Sequence, residues 1–588
     1  MAEEEKPTQP EPQTAEETAV PAEQREPMPD SKIAGESRLV KFKAWYLERK
    51  KWTIPLSVLV LLIILAGIPW TRYHSAGLVR KRSIEVKVVD STAGTPVSGA
   101  TISAGSISAE TNGTGMATLA GVPAGHHKFL ISKKYYQSQT VDVLAPILSQ
   151  KIIPSVQLSA TGRQVKVSVR NLINKNSLSN VDISVAGISA KTDKNGSATI
   201  VLPAGVSEQK ATLSLNGFND ADVTVKVSSD KIQENDFNLT PSGKVYFLSK
   251  LSGTIDVVKT NLDGTKRQTV LAGTGKEDDS GTVLLASRDW KYLALLSRRA
   301  GDNASLYLID TSDDSLSTID NGNASFSLVG WSDDNFIYSV TRAGVQPWQP
   351  HAQALKSFSA NSKQLLTLDQ TNAQGTSQSD YAQEAYGQVY QIGKTIVYEK
   401  QWNAPYFNQT VLNDKTAGIY SISASGSNAQ TLKTFGYASG QTTFINSIPY
   451  EANSIYYSVT EKDSNTYWAY SSGKLVSKNN IADKFNEYYQ SPTTYLLSPS
   501  GDNTFWTEPR DGKNTLFIGD DNGDNGKQIA SLSDYSTYGW YTDNYLLVSK
   551  NSSELYIMPK AAGSAVKITD YHKPAVSFPG YGGGYGGL

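Results

Sequence analysis

The chain has 588 residues, with 55 Lys and Arg against 56 Asp and Glu, a formal net charge of -1, and no cysteine. Near-neutral charge removes the basic excess that nucleic acid requires of a partner, and the missing thiols exclude disulfides, thiolate metal sites and cysteine nucleophiles. The length is too great for one core, and a wealth of Gly, Ser, Thr, Asn and Tyr after residue 80 predicts an all-β protein of several domains.

Residues 1–37 carry Glu, Pro, Gln and Thr with hardly any large apolar side chain, a composition expected to stay disordered, here as an acidic cytoplasmic tail. A basic juxtamembrane segment, 38–52, follows. The run after it has no charge between Lys51 and Arg72, and Trp52 and Trp70 flank it. Twenty such residues at 1.5 Å rise would reach about 30 Å, so the pattern predicts a transmembrane helix over 53–71 with the lipid bilayer as its partner. Roughly fifty residues before the apolar run are too many for a signal-peptide n-region, which favours an uncleaved anchor. Arg38, Lys41, Lys43, Arg49, Lys50 and Lys51 precede the span, against Arg72, Arg80, Lys81 and Arg82 after it. The bias predicts a single-pass protein of the plasma membrane, N-terminus in the cytoplasm and C-terminal domains extracellular or periplasmic.

From residue 83 short runs of alternating apolar and polar residues are broken by Gly, Pro and Asn-Gly, the pattern of half-buried strands joined by tight turns. The opening strand from Ile84 to Val89, "GTPVSGATI" (94–102), "TNGTGMATL" (111–119) and "VPAGHHKFLISKKYY" (122–136) follow one another. This order resembles the carboxypeptidase regulatory-like domains, transthyretin-like and Ig-like sandwiches, and its ending resembles the PEGA group. The parts recur in "LSNVDISV", "TDKNGSATI" and "LPAG". Two small β-sandwiches are therefore expected, at 83–158 and 162–240, as a stalk. His126 and His127 are neighbours on a strand, so their side chains point to opposite faces and cannot share a metal.

From about Gly243 a unit of roughly 45 residues repeats, the period of propeller blades. "LLASRDWKYLALLSRRAGDNASLYLIDTSDDSLSTI" (284–319) and "YLLSPSGDNTFWTEPRDGKNTLFIGDDNGDNGKQI" (495–529) are its clearest copies. Both resemble the TolB-like, PD40 type of blade, although Asp289-Trp290 stands where Asp-Gly is usual. Hairpins starting near 244, 284, 328, 390, 445, 495 and 538 predict about seven blades over 243–572. The strand in "GKVYFLS" is expected to complete the last blade beside "AVKIT", closing the ring without a free edge. Residues 573–588 form a Gly/Tyr-rich tail with no capacity for a core.

The fold class expected is thus all-β: two small sandwiches and a C-terminal propeller behind one N-terminal transmembrane α-helix. No G-x-S-x-G elbow or H-E-x-x-H set occurs, His351 and His572 lie in no recognisable catalytic setting, and "GDDNGDNGK" (519–527) misses the spacing of a calcium loop. No catalytic residue, metal or cofactor is assigned. The expected function is non-catalytic: a membrane-anchored surface protein presenting its propeller to an extracellular protein, peptide or glycan. A TolB-like docking role in envelope assembly is the alternative, and a propeller hydrolase or lyase the third reading. Two long loops, 342–353 and 399–415, each carry aromatic residues next to Pro, and Trp348, Trp402, Tyr406 and Phe407 are the candidate ligand-binding residues.

Overall fold

A computed structural model describes residues 38–68 and 81–570, apart from short breaks at 92–93, 148–153, 204–205, 229–231, 438–442, 451–452, 463, 491–493, 531–534, 552 and 562. The tails at 1–37 and 573–588 lie outside the described residues. The chain divides into two compact units, the first formed mainly by Met1–Arg82 and the second by most of the remainder.

The first unit contains helices Arg38–Glu48 and Lys50–Gly67. Here the sequence expectation is corrected. The second helix has 18 residues, and its first two are lysines, which leaves 16 at 1.5 Å each, about 24 Å against a hydrocarbon layer of about 30 Å. Among the described residues no helix is long and apolar enough to cross a membrane. The last part of the expected span, 69–71, lies outside the described residues.

The second unit is all-β. Its first two modules share one topology. In each, the first strand lies between the fourth and the seventh and pairs parallel with the seventh, while the third, second, fifth and sixth form the other sheet. The turn chemistry repeats as well. Thr111 Oγ1 donates to the Val97 carbonyl and accepts from the Ala100 N–H, and Thr192 does the same with Leu178 and Val181. Asn112 and Asp193, one residue on, each accept main-chain N–H groups two and four residues ahead, shaping the turns that end at Gly115 and Gly196. Val165, Val167 and Val169 from one sheet meet Ile183, Val185 and Leu213 from the other in the core of the second module.

The two modules are locked to each other. A Cβ added at Gly99 would lie 2.4 Å from the Ser189 carbonyl oxygen and one at Gly113 2.3 Å from that of Thr192, so the backbones meet where only glycine fits. Lys133 Nζ donates to the carbonyls of Ser98, Gly99 and Ser189, one ammonium bridging both modules. Burial pushes the Lys133 amine down to about 8, against a smaller opposing effect of Glu110.

Seven antiparallel sheets follow among the described residues between Val245 and Thr569, each built from successive strands in chain order: a β-propeller. Blade 1 holds Val245–Ser249, Asp256–Thr260 and Gln268–Leu271. Blade 2 runs from Val283 to Asp320, blade 3 from Ala324 to Gln370, and blade 4, with a fifth strand, from Ala373 to Gly436. Blade 5 spans Phe444 to Ser477, blade 6 Leu496 to Ala530 and blade 7 Tyr535 to Thr569. A register shift marks the pairing of third and outer strands in blades 2, 3, 4, 6 and 7, and blade 1 shows it between Val257 and Val258. The three strands of blade 1 therefore correspond to the second, third and outer strands of the others, and its inner strand is missing among the described residues.

This overturns the expected closure. Val245–Ser249 pairs with Asp256–Thr260, and Val566–Thr569 pairs with its own blade, so among the described residues no strand is shared between the first and last blades. Side chains close the ring instead. Trp290, at the turn of blade 2, is 6% exposed and donates its indole N–H to the Trp540 carbonyl of blade 7 at 3.3 Å, with Tyr541 5.6 Å from its ring centre. Arg267 of blade 1 donates to Thr569 Oγ1 at 3.1 Å. Trp stands at this turn even though φ is +61° because its buried ring packs between blades 2 and 7.

Tyrosine–lysine pairs also bind neighbouring blades together. Tyr338 and Lys356 of blade 3 both donate to Asp320 of blade 2, at 2.7 and 2.6 Å, and Tyr386 and Lys400 of blade 4 grip Asp369 of blade 3 at 2.7 and 3.2 Å. Tyr246 and Lys259 of blade 1 hold Asp314 of blade 2 in the same way. Burial and the adjacent carboxylates raise all three phenols far above their ordinary range.

Candidate functional site

In an antiparallel blade the loops joining second to third strands leave on one face of the ring. The two long loops of blades 3 and 4 both do so. His351, at φ +63°, ties the blade 3 loop down by donating its main-chain N–H to the Thr371 carbonyl. Gln346 and Gln349 close a turn around Trp348, which is half-buried.

Trp402 lies at the end of strand Thr395–Asn403 and not in the loop. Its ring is half-buried against the core shared by blades 4 and 5, with the Lys415 ammonium 5.5 Å from the ring centre. The Tyr437 hydroxyl accepts from its main-chain N–H at 2.6 Å and donates to its carbonyl. Tyr406 and Phe407 behave differently, at 92% and 71% exposed. The four residues thus divide into two that fold towards the blades and two that stand clear.

The loop that carries the exposed pair is internally braced. Pro405 is buried, Gln409 Nε2 donates to the carbonyls of Ala404 and Pro405, and Asn408 Nδ2 reaches Ser379 at 2.9 Å. A 3₁₀ turn, Gln409–Leu412, then plants Leu412 in the core. Two aromatic rings are consequently held in water by a loop whose own bonds keep it in place. Phe444, the first residue of the blade 5 inner strand, is 53% exposed on the adjoining edge, where Gln401 brackets Ile445 with two hydrogen bonds. Sequence reading passed over Phe444 because it sits in a strand run and next to no proline.

Below this face a carboxyl lies between blades 4 and 5. Glu399 is 1% exposed; its Oε1 accepts from Ser447 Oγ at 2.6 Å and from the Gln388 N–H at 2.9 Å, and its Oε2 has no partner. Burial raises the carboxyl to about 7, the two hydrogen bonds opposing it. The Tyr457 hydroxyl is also buried without a partner, and burial together with Glu399 holds it well above its ordinary range. His126 is exposed and His127 half-buried on strand Gly125–Ser132, on opposite faces.

No protein-family profile and no curated protein matches the sequence. Solved structures do. The chain is similar to the β-propeller domain of the Trilobed protease from Pyrococcus furiosus, with 15% identity over 57% of this chain and 94% of that one, at a TM-score of 0.32. It is similar to the acylaminoacyl peptidase of Pyrococcus horikoshii, with 15% identity and a TM-score of 0.33, covering 56% of this chain and about half, 51%, of the peptidase. An oligogalacturonate lyase in complex with manganese matches at 10% identity and a TM-score of 0.30, over 55% of this chain and 84% of that one. These likenesses concern the propeller fold.

Proposed function

We propose that the chain is a non-catalytic cell-surface protein whose propeller binds an extracellular protein or peptide through the face that carries Tyr406 and Phe407. The single observation behind this reading is that two adjacent aromatic rings, 92% and 71% exposed, stand on a loop braced by its own hydrogen bonds. A loop already held in place loses little entropy on binding, and aromatic anchors of this kind dominate interface energies. Phenylalanine offers no hydrogen bond to a sugar hydroxyl, which favours an apolar pocket on a protein as the counterpart of Phe407.

The test compares the full chain with the Tyr406→Ala/Phe407→Ala double variant as baits on intact cell surfaces, bound partners being fixed by cross-linking. Each truncation should cost about 1–3 kcal/mol, so one partner should fall by more than tenfold in the double variant. Equal capture by both baits would remove the face from consideration. Turnover of a peptide or glycoside library by the purified chain would remove the non-catalytic reading.

A further inference from the structure

Where the second sandwich meets the propeller, its turn 171–177 lies against the ends of blades 6 and 7 opposite the aromatic loops. The turn is fixed at two points. Asn171 Nδ2 donates to the Tyr545 hydroxyl at 2.9 Å while its Oδ1 accepts from the N–H groups of Ile173 and Asn174. Ile173 is fully buried in the core cluster of blades 1, 2 and 7.

Beside this anchor opens a cleft of about 890 Å³, with Asn174 and Asn176 on the sandwich side and the turns of blades 6 and 7 opposite. It has the volume of a small-ligand site and the usual position of one, at a boundary between domains. Its charged groups are Asp520, Lys527 and Lys560: the Asp520 carboxylate accepts from Asn522 and Asn525, and Lys560 Nζ donates to Asn503 Oδ1. Three of its carboxamides are held within the protein: Asn174 Oδ1 accepts from the Asn176 N–H, Asn503 bonds Lys560 and the Gly519 carbonyl, and Asn525 donates to Asp520. Asn176, Asn544 and Gln528 also line the cleft, and the bonds of Asn176 and Asn544 run through their main-chain groups. Ile518, Ile529 and Pro559 supply an apolar floor.

A carboxamide presents an acceptor and two donors in one plane, the complement of two neighbouring ring hydroxyls, and an apolar floor suits the C–H face of a pyranose. We infer that the cleft binds a neutral oligosaccharide, gripped between the second sandwich and blades 6 and 7. An acidic peptide or polyanion would need several cations, whereas Lys527 and Lys560 share the lining with the Asp520 carboxylate and leave little net positive charge. The site is separate from the Tyr406–Phe407 face, so either can fail without the other.

The experiment presents the full chain to immobilised linear tetrasaccharides of glucose, galactose, mannose and N-acetylglucosamine, and to an acidic peptide array, followed by titration calorimetry of whatever binds. One saccharide series should bind, and Asn176→Ala and Asn544→Ala should each weaken it about tenfold, the scale of one or two lost hydrogen bonds. The Tyr406→Ala/Phe407→Ala variant should bind that saccharide as the parent does. Both asparagine side chains are at the surface, and unchanged thermal melts will certify folding; Gln528→Ala replaces either one that melts early. Absence of saccharide binding at millimolar concentration, binding that the cleft variants leave unchanged, or acidic-peptide binding that they abolish would each overturn the inference.

Discussion

Glu399→Gln offers a direct test of how blades 4 and 5 are held together. The carboxyl is lifted from its ordinary value of 4.5 to about 7 by burial. A raised acid binds its proton more tightly in the folded state, so below pH 4.5 both folded and unfolded forms are protonated and nothing is lost. Between 4.5 and 7 the folded chain holds a proton that the unfolded one has released, and stability falls; above 7 the loss is complete and constant. A shift of about 2.5 units corresponds to about 3 kcal/mol at 1.36 kcal/mol per unit. Gln keeps an oxygen for Ser447 Oγ and the Gln388 N–H, and places an amide donor where Oε2 has no partner. The variant should therefore gain up to about 3 kcal/mol at pH 8 and gain little at pH 4.5. Hydrogen exchange of strands Thr395–Asn403 and Phe444–Tyr450, measured across that range, isolates the two blades from the rest of the chain. Equal protection of parent and variant at pH 8, or a gain that persists undiminished at pH 4.5, would refute the reasoning.

Lys133 should show the opposite slope: its amine is lowered to about 8, so the cost of burying the charge is full below pH 8 and is relieved between 8 and about 10.5. Lys133→Met should flatten that rise, read as hydrogen exchange in Thr101–Ala104 and Ile188–Lys191. Trp290→Gly relieves a positive φ worth about 1 kcal/mol but removes a buried ring worth about 3–5, so the propeller should lose about 2–4 kcal/mol by urea unfolding; a stabilised variant would show that the ring does not close the ring of blades. Ile173→Ala should cost about 2–5 kcal/mol and expose the junction of sandwich and propeller to protease, whereas cleavage at the parental rate would deny the anchor its role.

The repeat structure of the second unit was open to sequence reading because its signals are local. Thr111-Asn112 and Thr192-Asp193 announce equivalent turns through side chains that bond two to four residues ahead, and blade hairpins carry their own turn residues. Long-range partners give no such signal. Nothing around Val245 or Val566 says which strand each will choose, and the closing contact depends on Trp290 meeting Trp540 across 250 positions. The departure from Asp-Gly at Asp289-Trp290 was visible, yet its meaning required knowing that the ring packs against blade 7. The apolar N-terminal run misled for another reason: hydropathy counted an unbroken stretch from 53 to 71, whereas the helix that begins at Lys50 ends at Gly67.

The candidate site divides along the same line. Proline next to aromatic residues pointed to the loop on which Tyr406 and Phe407 are exposed, because loop bracing is encoded nearby. Trp402 belongs to the same stretch, but it pairs with Glu384, and its ring lies against Lys415 and the core. A residue one place inside a strand packs; a residue a few places beyond it is free to project. The boundary between those outcomes is set by where cross-strand pairing stops, and that depends on Gln383 and Glu384, almost twenty residues earlier in the chain. The carboxamide cleft is the extreme case, since Asn176 and Asn544 come together only through the seating of Ile173 in the propeller, and neither asparagine differs locally from any other polar turn residue.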